Sequence, residues 1–299
     1  PSYGKIYGDC NDNHDIAYID EAYFIGNSSA TYTNMIIYHV NYSKWSNIPI
    51  VHFKDFNLAD SAIRVYIAKG MEDPHKSMII DVIGNCSVKA RAGEDAVTGF
   101  ETLTFTGSGT LDIYGGDGGA GGNAITASNI VVDMTGTLNV YGGNGGNGAD
   151  GVDGNHGCTN DNYSHYQNVY NGAGTHIQML YRYNKAYNGG DGSSGGSGGN
   201  AGIPIDGNIA VTGTGRITII YGNGGNGGNG GNGGNGGNGH NYSGNWIQVS
   251  FIHAYDPGDG GNGGNGGNGG NAGASLTKVY SFDGVNVEIV TGDNGTVGK

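Results

Sequence analysis

The chain has 299 residues, of which 64 are Gly, and 13 Lys and Arg against 26 Asp and Glu leave a formal net charge of −13. An acidic chain with no basic block excludes a protein that neutralises nucleic-acid phosphates, and the lack of any run of about 18 apolar residues excludes a membrane-spanning helix. Only 5 Pro are present, which excludes collagen, while 20 Tyr, 7 Phe and 2 Trp supply a core that a glycine-rich linker would lack.

In chain order, the first feature is acidic. Asp9, Asn11, Asn13 and Asp15 alternate and Asp20 follows further on, the spacing of the first half of a calcium loop. His14 stands where that loop needs Gly, so a polar turn before a strand over 16–25 is the competing reading. Three Cys, at Cys10, Cys86 and Cys158, are an odd count, which suits one disulfide with one thiol left over, or three unpaired buried thiols. Cys10 and Cys86 are the candidate pair, leaving Cys158 free. Six N-x-S/T sequons, at Asn27, Asn41, Asn85, Asn162, Asn241 and Asn294, are glycosylation candidates on a secreted chain.

Residues 1–101 are rich in β-branched and aromatic residues. Segments 31–38, 48–53, 61–67 and 78–84 read as strands. Their close and fairly even spacing suits short solenoid coils or a β-sandwich. This N-terminal region is expected to be either the first solenoid coils or a domain for attachment and assembly.

Over residues 102–299, repeats dominate. Thr106-Gly107-Ser108-Gly109-Thr110-Leu111-Asp112-Ile113-Tyr114-Gly115-Gly116 is followed by Met134-Thr135-Gly136-Thr137-Leu138-Asn139-Val140-Tyr141-Gly142-Gly143, by Thr212-Gly213-Thr214-Gly215-Arg216-Ile217-Thr218-Ile219-Ile220-Tyr221-Gly222, and by a weaker Asp283-Gly284-Val285-Asn286-Val287-Glu288-Ile289-Val290-Thr291-Gly292. Each reads as a turn, a period-2 strand and a Gly-rich exit. The interval from Gly115 to Gly142 is the length of one coil of a parallel β-solenoid. The next two intervals, from Gly142 to Gly222 and from Gly222 to Gly292, are far longer and fit a coil plus a long insertion. The expected fold is all-β, a parallel β-solenoid in which each coil buries its neighbour's apolar face.

Gly tracts follow the strands, over about 115–122, 142–151, 189–202, 222–239 and 258–273, and the longest are Gly-Gly-Asn triplets. A period of three matches polyproline-II geometry, three residues per turn and about 3.1 Å per residue, so the tract 222–239 would span roughly 56 Å. Two faces of each such helix are bare Gly backbone, which lets neighbours approach closely enough to pair N–H with C=O. The tracts are therefore expected to form a polyglycine II layer attached to the solenoid. Flexible linkers are the alternative, but a linker has no reason to hold a three-residue register.

Two aromatic insertions interrupt the tracts and are expected as loops. Residues 152–188 carry Tyr163, Tyr166, Tyr170, Tyr181, Arg182 and Tyr183, and residues 240–257 carry Tyr242, Trp246, Phe251 and Tyr255. Rigid aromatics among small polar residues are the composition of recognition surfaces, and these side chains are the candidate contacts for a glycan or receptor. A small satellite core beneath the loops is the other use such aromatics have. No nucleophile elbow, phosphate loop, HExxH or paired CxxC occurs, so no catalytic activity is expected, and no cofactor beyond the candidate calcium.

The stretch from Val82-Ile83-Gly84-Asn85 through Leu103-Thr104-Phe105-Thr106-Gly107-Ser108-Gly109-Thr110-Leu111-Asp112-Ile113-Tyr114-Gly115 resembles bacterial extracellular parallel β-helix proteins, some of which bind polysaccharide. The alternation of Gly tracts with aromatic loops over 115–273 resembles the tip adhesins of T-even-like phage long tail fibres, in which polyglycine II helices display receptor-binding loops. The triplet period is also similar to that of insect Gly-Gly-X antifreeze proteins, which lack such insertions. Together these imply a secreted or surface-displayed protein with a structural and adhesive role, self-associating into a filament or layer. A discrete glycan- or receptor-binding adhesin is the alternative, and ice binding by Asn ladders a third.

Overall fold

The computed structural model of the chain describes residues 21–27, 29–40, 48–66, 76–156, 159–170, 176–186, 188–235 and 286–299. In chain order its strands are β1 (Glu21–Ile25), β2 (Thr31–Thr33), β3 (Ile36–Val40), β4 (Ile50–Lys54), β5 (Asn57–Ala59), β6 (Ala62–Tyr66), β7 (Ser77–Ile83), β8 (Asn85–Lys89) and β9 (Val97–Gly107). They continue with β10 (Thr110–Tyr114), β11 (Ile125–Met134), β12 (Thr137–Tyr141), β13 (Thr159–Tyr170), β14 (His176–Ala186), β15 (Ile205–Val211), β16 (Arg216–Ile220) and β17 (Val287–Val290). The described residues fall into two compact bodies. One lies within Pro1–Asn147, Gly198–Asn226 and Ala272–Thr296, the other within Gly148–Ser197, Gly227–Asn271 and Val297–Lys299.

The first body is a parallel β-solenoid. Its first sheet runs β1-β4-β7-β9-β11-β15, with β3 and β6 joining at the long strand β9, and its second runs β17-β16-β12-β10-β8-β5-β2. Every pairing in both sheets is parallel. The register sets Glu21 on Ile50, Ser77 on Thr102 and Thr110 on Thr137, one short coil at each step. It then sets Thr137 on Arg216 and Ile217 on Val287, where each step encloses a long insertion. The ladder crosses residue 101 without a break, because β9 pairs with β7 on one side and β11 on the other.

Period-2 alternation decides which side chains face inward. In β10, β12 and β16 the inward positions are Leu111 and Ile113, Leu138 and Val140, Ile217 and Ile219, all buried. Opposite them the first sheet contributes Met78, Ile80 and Val82, Leu103 and Phe105, Ile130 and Val132. Each fully buried side chain of this size contributes about 1.5–3 kcal/mol, so the stack of coils is held chiefly by its interior rows.

Two kinds of corner join the sheets. The tight one carries a column of glycines. A Cβ on Gly109 would overlap the carbonyl oxygen of Gly84, one on Gly136 that of Gly109, and one on Gly215 that of Gly136. The repeated Gly at the start of each sequence repeat is thus a stacking requirement of the corner. The other corner starts small. Residues 34–35 turn from β2 to β3 and residues 60–61 from β5 to β6, with Asn34 (φ 57°) and Asp60 (φ 49°) in the left-handed region that Asn and Asp tolerate best after Gly. The expected single strand over 31–38 is therefore cut at Asn34. In later coils this corner lengthens to 90–96, then 115–124, then 142–204. The Gly tracts are its expanded form.

The described parts of the tracts form no strands but bond regularly to one another. In the first body Gly199 N–H donates to Gly146 O and Gly202 N–H to Gly143 O, both at 2.8 Å. Successive peptides of segment 143–146 turn to different neighbours. The carbonyls of Gly143 and Gly146 face the 199–202 segment, Asn144 bonds Gly118, and Gly145 bonds Asn223. In the second body the same three-residue step recurs, with Gly190 to Asn155, Ser193 to Val152 and Gly196 to Ala149. All the buried apolar side chains described lie in the first body. The described tracts of the second are joined by backbone and Asx hydrogen bonds.

Candidate recognition surface

Residues 152–188, expected as a loop, contain an antiparallel hairpin, β13 with β14. The aromatic candidates are in register across it. Tyr163 pairs with Tyr183, His165 with Tyr181, Ser164 with Arg182, Tyr166 with Leu180 and Tyr170 with His176. Alternation along the strands assigns Tyr163, Tyr181 and Tyr183 to one set of positions and Tyr166, Tyr170 and Arg182 to the other. The hairpin thus divides the candidates of this insertion into two groups. Tyr242, Trp246, Phe251 and Tyr255 lie outside the described residues.

The calcium candidates Asp9, Asn11, Asn13, Asp15 and Asp20 also lie outside the described residues. Among the described ones, no group of three or more His, Cys, Asp and Glu is arranged to hold a metal ion. Cys86 is buried on β8, with Sγ 3.6 Å from the Ile83 carbonyl oxygen. Burial pushes its thiol pKa up. Its candidate partner Cys10, and Cys158, lie outside the described residues. Of the sequons, Asn27, Asn85 and Asn294 are exposed and Asn162 is on β13, while Asn41 and Asn241 lie outside. Asn27 Oδ1 accepts from Ser29 N–H at 3.1 Å and from Ser29 Oγ at 2.9 Å, within its own sequon.

The outer face of the solenoid brings together side chains that lie far apart in the sequence. On the first sheet the register Tyr23–His52–Asp81–Thr106 forms an outward row. Tyr23 stacks on His52 with centroids 4.3 Å apart, His52 Nδ1 lies 2.7 Å from Asp81 Oδ2, and Thr106 Oγ1 donates to Asp81 Oδ1 at 3.3 Å. On the second sheet Asn139 Nδ2 donates to Asp112 Oδ1 at 2.7 Å, and beside them Tyr114 and Tyr141 stack at 4.3 Å. Burial first, then the Asp112 charge and Tyr141, push the Tyr114 phenol well above its ordinary pKa. Arg64 and Glu94 pair at 2.7 Å, and Arg216 pairs with Glu288. Neighbours in these rows belong to successive coils, so only alignment of the sequence at the coil length would have revealed them.

The fold defines a class, the parallel β-solenoid proteins, with a lengthening corner built from glycine. No family model matches the chain, and neither a curated protein nor a solved structure matches it. No helix of the described residues is long and apolar enough to cross a membrane.

Proposed function

We propose that this is an extracellular, non-enzymatic structural protein, a self-associating subunit of a surface filament or layer. On this reading its Gly tracts are polyglycine II helices packed side by side as a layer. The observation that carries it is the three-residue bonding step of the tracts. Gly190, Ser193 and Gly196 donate in turn to Asn155, Val152 and Ala149, and Gly228, Gly231 and Gly234 donate back to Gly196, Ser193 and Gly190. Three-residue periodicity without internal hydrogen bonds belongs to the polyproline-II family of helices. A body cross-bonded this densely suits mechanical work. Electron microscopy of native material is the test. Long polymers with a regular axial repeat support a filament subunit, and discrete particles overturn it.

The hairpin favours a second reading, a glycan- or receptor-binding adhesin. Its paired Tyr163 and Tyr183, and His165 and Tyr181, supply rigid contact area at low entropy cost. A glycan array with Tyr181→Ala and Trp246→Ala tests it. Binding lost in either variant supports the adhesin, and binding unchanged in both removes these loops as the contact surface.

A further inference from the structure

We infer that the two ends of the second sheet are halves of one interface, and that copies of this chain stack end to end through it. The inference rests on the structural-subunit reading and names the surface that reading needs.

One inward row crosses the whole sheet. Tyr32 registers on Leu58, Leu58 on Val88, Val88 on Ile113, Ile113 on Val140, Val140 on Ile219 and Ile219 on Ile289. Leu58, Val88, Ile113, Val140 and Ile219 are at most 1% exposed, whereas Tyr32 is 37% and Ile289 44% exposed. The same chemistry that is buried in every middle coil is open to water at both ends. Outward positions of the end strands carry exposed apolar side chains as well, Tyr23 and Ile25 on β1 and Val290 on β17, but these belong to the outer face and not to the inward row. Among the described strand residues, Ile83, at an outward position of β7, is the one large exposed apolar side chain of a middle coil.

The backbone has open ends at the same two places. Among the described residues β2 pairs only with β5, and β17 only with β16. Each has one row of N–H and C=O groups with no strand partner among the described residues, the template on which another strand adds. Every pairing in the sheet is parallel, so the two ends are opposite in polarity. Setting the β2 end of one copy on the β17 end of another continues the parallel ladder and covers Tyr32 and Ile289 in one step. Setting like on like covers one end and leaves the other open in each copy. An end-to-opposite-end contact is heterologous, and unless rotation closes it into a ring it grows an open fibre. The occupant of each end is therefore a second copy of this chain.

The register of the junction is testable. If Tyr32 of one copy follows Ile289 of the next, their Cα atoms stand about 4.8 Å apart, the spacing of neighbouring strands and inside the disulfide range. In a Cys10→Ser, Cys158→Ser background, with buried Cys86 retained, Tyr32→Cys with Ile289→Cys is oxidised and run without reductant. A reducible ladder of multimers is expected, with none from either single variant. The outward pair Thr31→Cys with Glu288→Cys, both exposed, guards against a folding defect from losing Tyr32 and should give the same ladder. Dimers from Ile289→Cys alone would mean like-on-like contact and overturn the proposal. Polymers by microscopy with no cross-link from either pair would overturn this interface and leave the filament reading standing. Neither polymers nor cross-links would overturn both.

Discussion

At the scale of single residues, the glycines of the tracts are not equivalent. A Cβ on Gly199 would overlap the carbonyl oxygen of Gly119, while a Cβ on Gly119 itself would meet nothing within 4 Å. Gly199→Ala forces two backbones apart and should cost about 1–3 kcal/mol, the usual range for overpacking. Gly119→Ala should be neutral or stabilise by up to about 1 kcal/mol through the unfolded chain. Denaturant midpoints of the two variants check this, and equal destabilisation would mean the tracts are looser than their bonding implies. Tyr114 gives a pH prediction. Its raised pKa means that the fold favours the neutral phenol. Its contribution is fully present below the unfolded value of about 10 and is lost as pH rises above it, because the unfolded chain releases its proton first. Stability of the parent should therefore fall between about pH 9 and about pH 11 more steeply than that of Tyr114→Phe. Equal slopes in the two denaturation series would remove Tyr114 as a cause. Asn34 marks the limit of reading at this scale. One residue at φ 57° turns the chain between sheets, with neither Gly nor Pro to announce it.

At the scale of elements, the strands of the repeats were legible because two constraints coincided. Thr110-Leu111-Asp112-Ile113-Tyr114 and Thr137-Leu138-Asn139-Val140-Tyr141 alternate with period 2 and pair residue for residue. The first-sheet strands β9, β11 and β15 are less legible, because bulges disturb their alternation, at Thr126/Ala127 and at Thr126/Asn129. The hairpin is hidden in the sequence because its Asn, Ser and Gln positions mask the alternation of Tyr163, His165, Ile177 and Met179. The Gly tracts carry a further consequence. Asn-Gly steps deamidate when the following backbone nitrogen attacks the Asn side-chain carbonyl carbon, Cγ, expelling ammonia and leaving a cyclic imide that water opens. In the tracts both groups are held by one residue of the adjoining segment. Asn144 Oδ1 accepts from Asn223 N–H at 2.8 Å, and Gly145 N–H donates to Asn223 O at 2.8 Å. Asn223 and Gly224 are held in the same way by Asp293. Asp150 and Gly151 repeat the clamp on Asn229, so the site uses only the acceptor oxygen, which Asp supplies as well as Asn. Deamidation at Asn144 and Asn223 should be at least about tenfold slower in the folded protein than in denatured protein at the same pH, which corresponds to about 1.4 kcal/mol of added barrier. Peptide mass spectrometry of aged samples measures it, and equal rates would mean the clamp opens freely.

At the scale of the whole molecule, the two bodies are stabilised by different physics. The solenoid owns every buried apolar side chain described, from Val51 to Tyr221. Its strands are buried between other strands, and hydrophobic burial weighs about 25 cal/mol per Å² there. The described tracts of the second body are joined by bonds such as Gly151 to Asn229, Gly154 to Asn232 and Gly231 to Ser193. Each backbone hydrogen bond nets only about 0.5–1.5 kcal/mol against water, and regions poor in buried apolar contact open locally at lower free energy than the core. Hydrogen exchange should therefore separate the bodies. Amides within the buried ladder, such as Leu111, Ile113, Leu138 and Val140, should exchange only through global unfolding. Those of Gly151, Gly154, Gly190 and Gly231 should exchange through local opening, with protection lower by a factor of about ten or more, equivalent to about 1.4 kcal/mol. Deletion puts the same independence to a harder test. Gly199 and Gly202 already bond back to Gly146 and Gly143 inside the first body, and an earlier coil turns the same corner with residues 115–124 alone. Removing 148–197 and joining Asn147 to Gly198 should leave the exchange of Leu111, Ile113, Leu138 and Val140 unchanged. Should those amides lose protection on deletion, the solenoid depends on the second body for its stability, and the independence argued from its core is wrong.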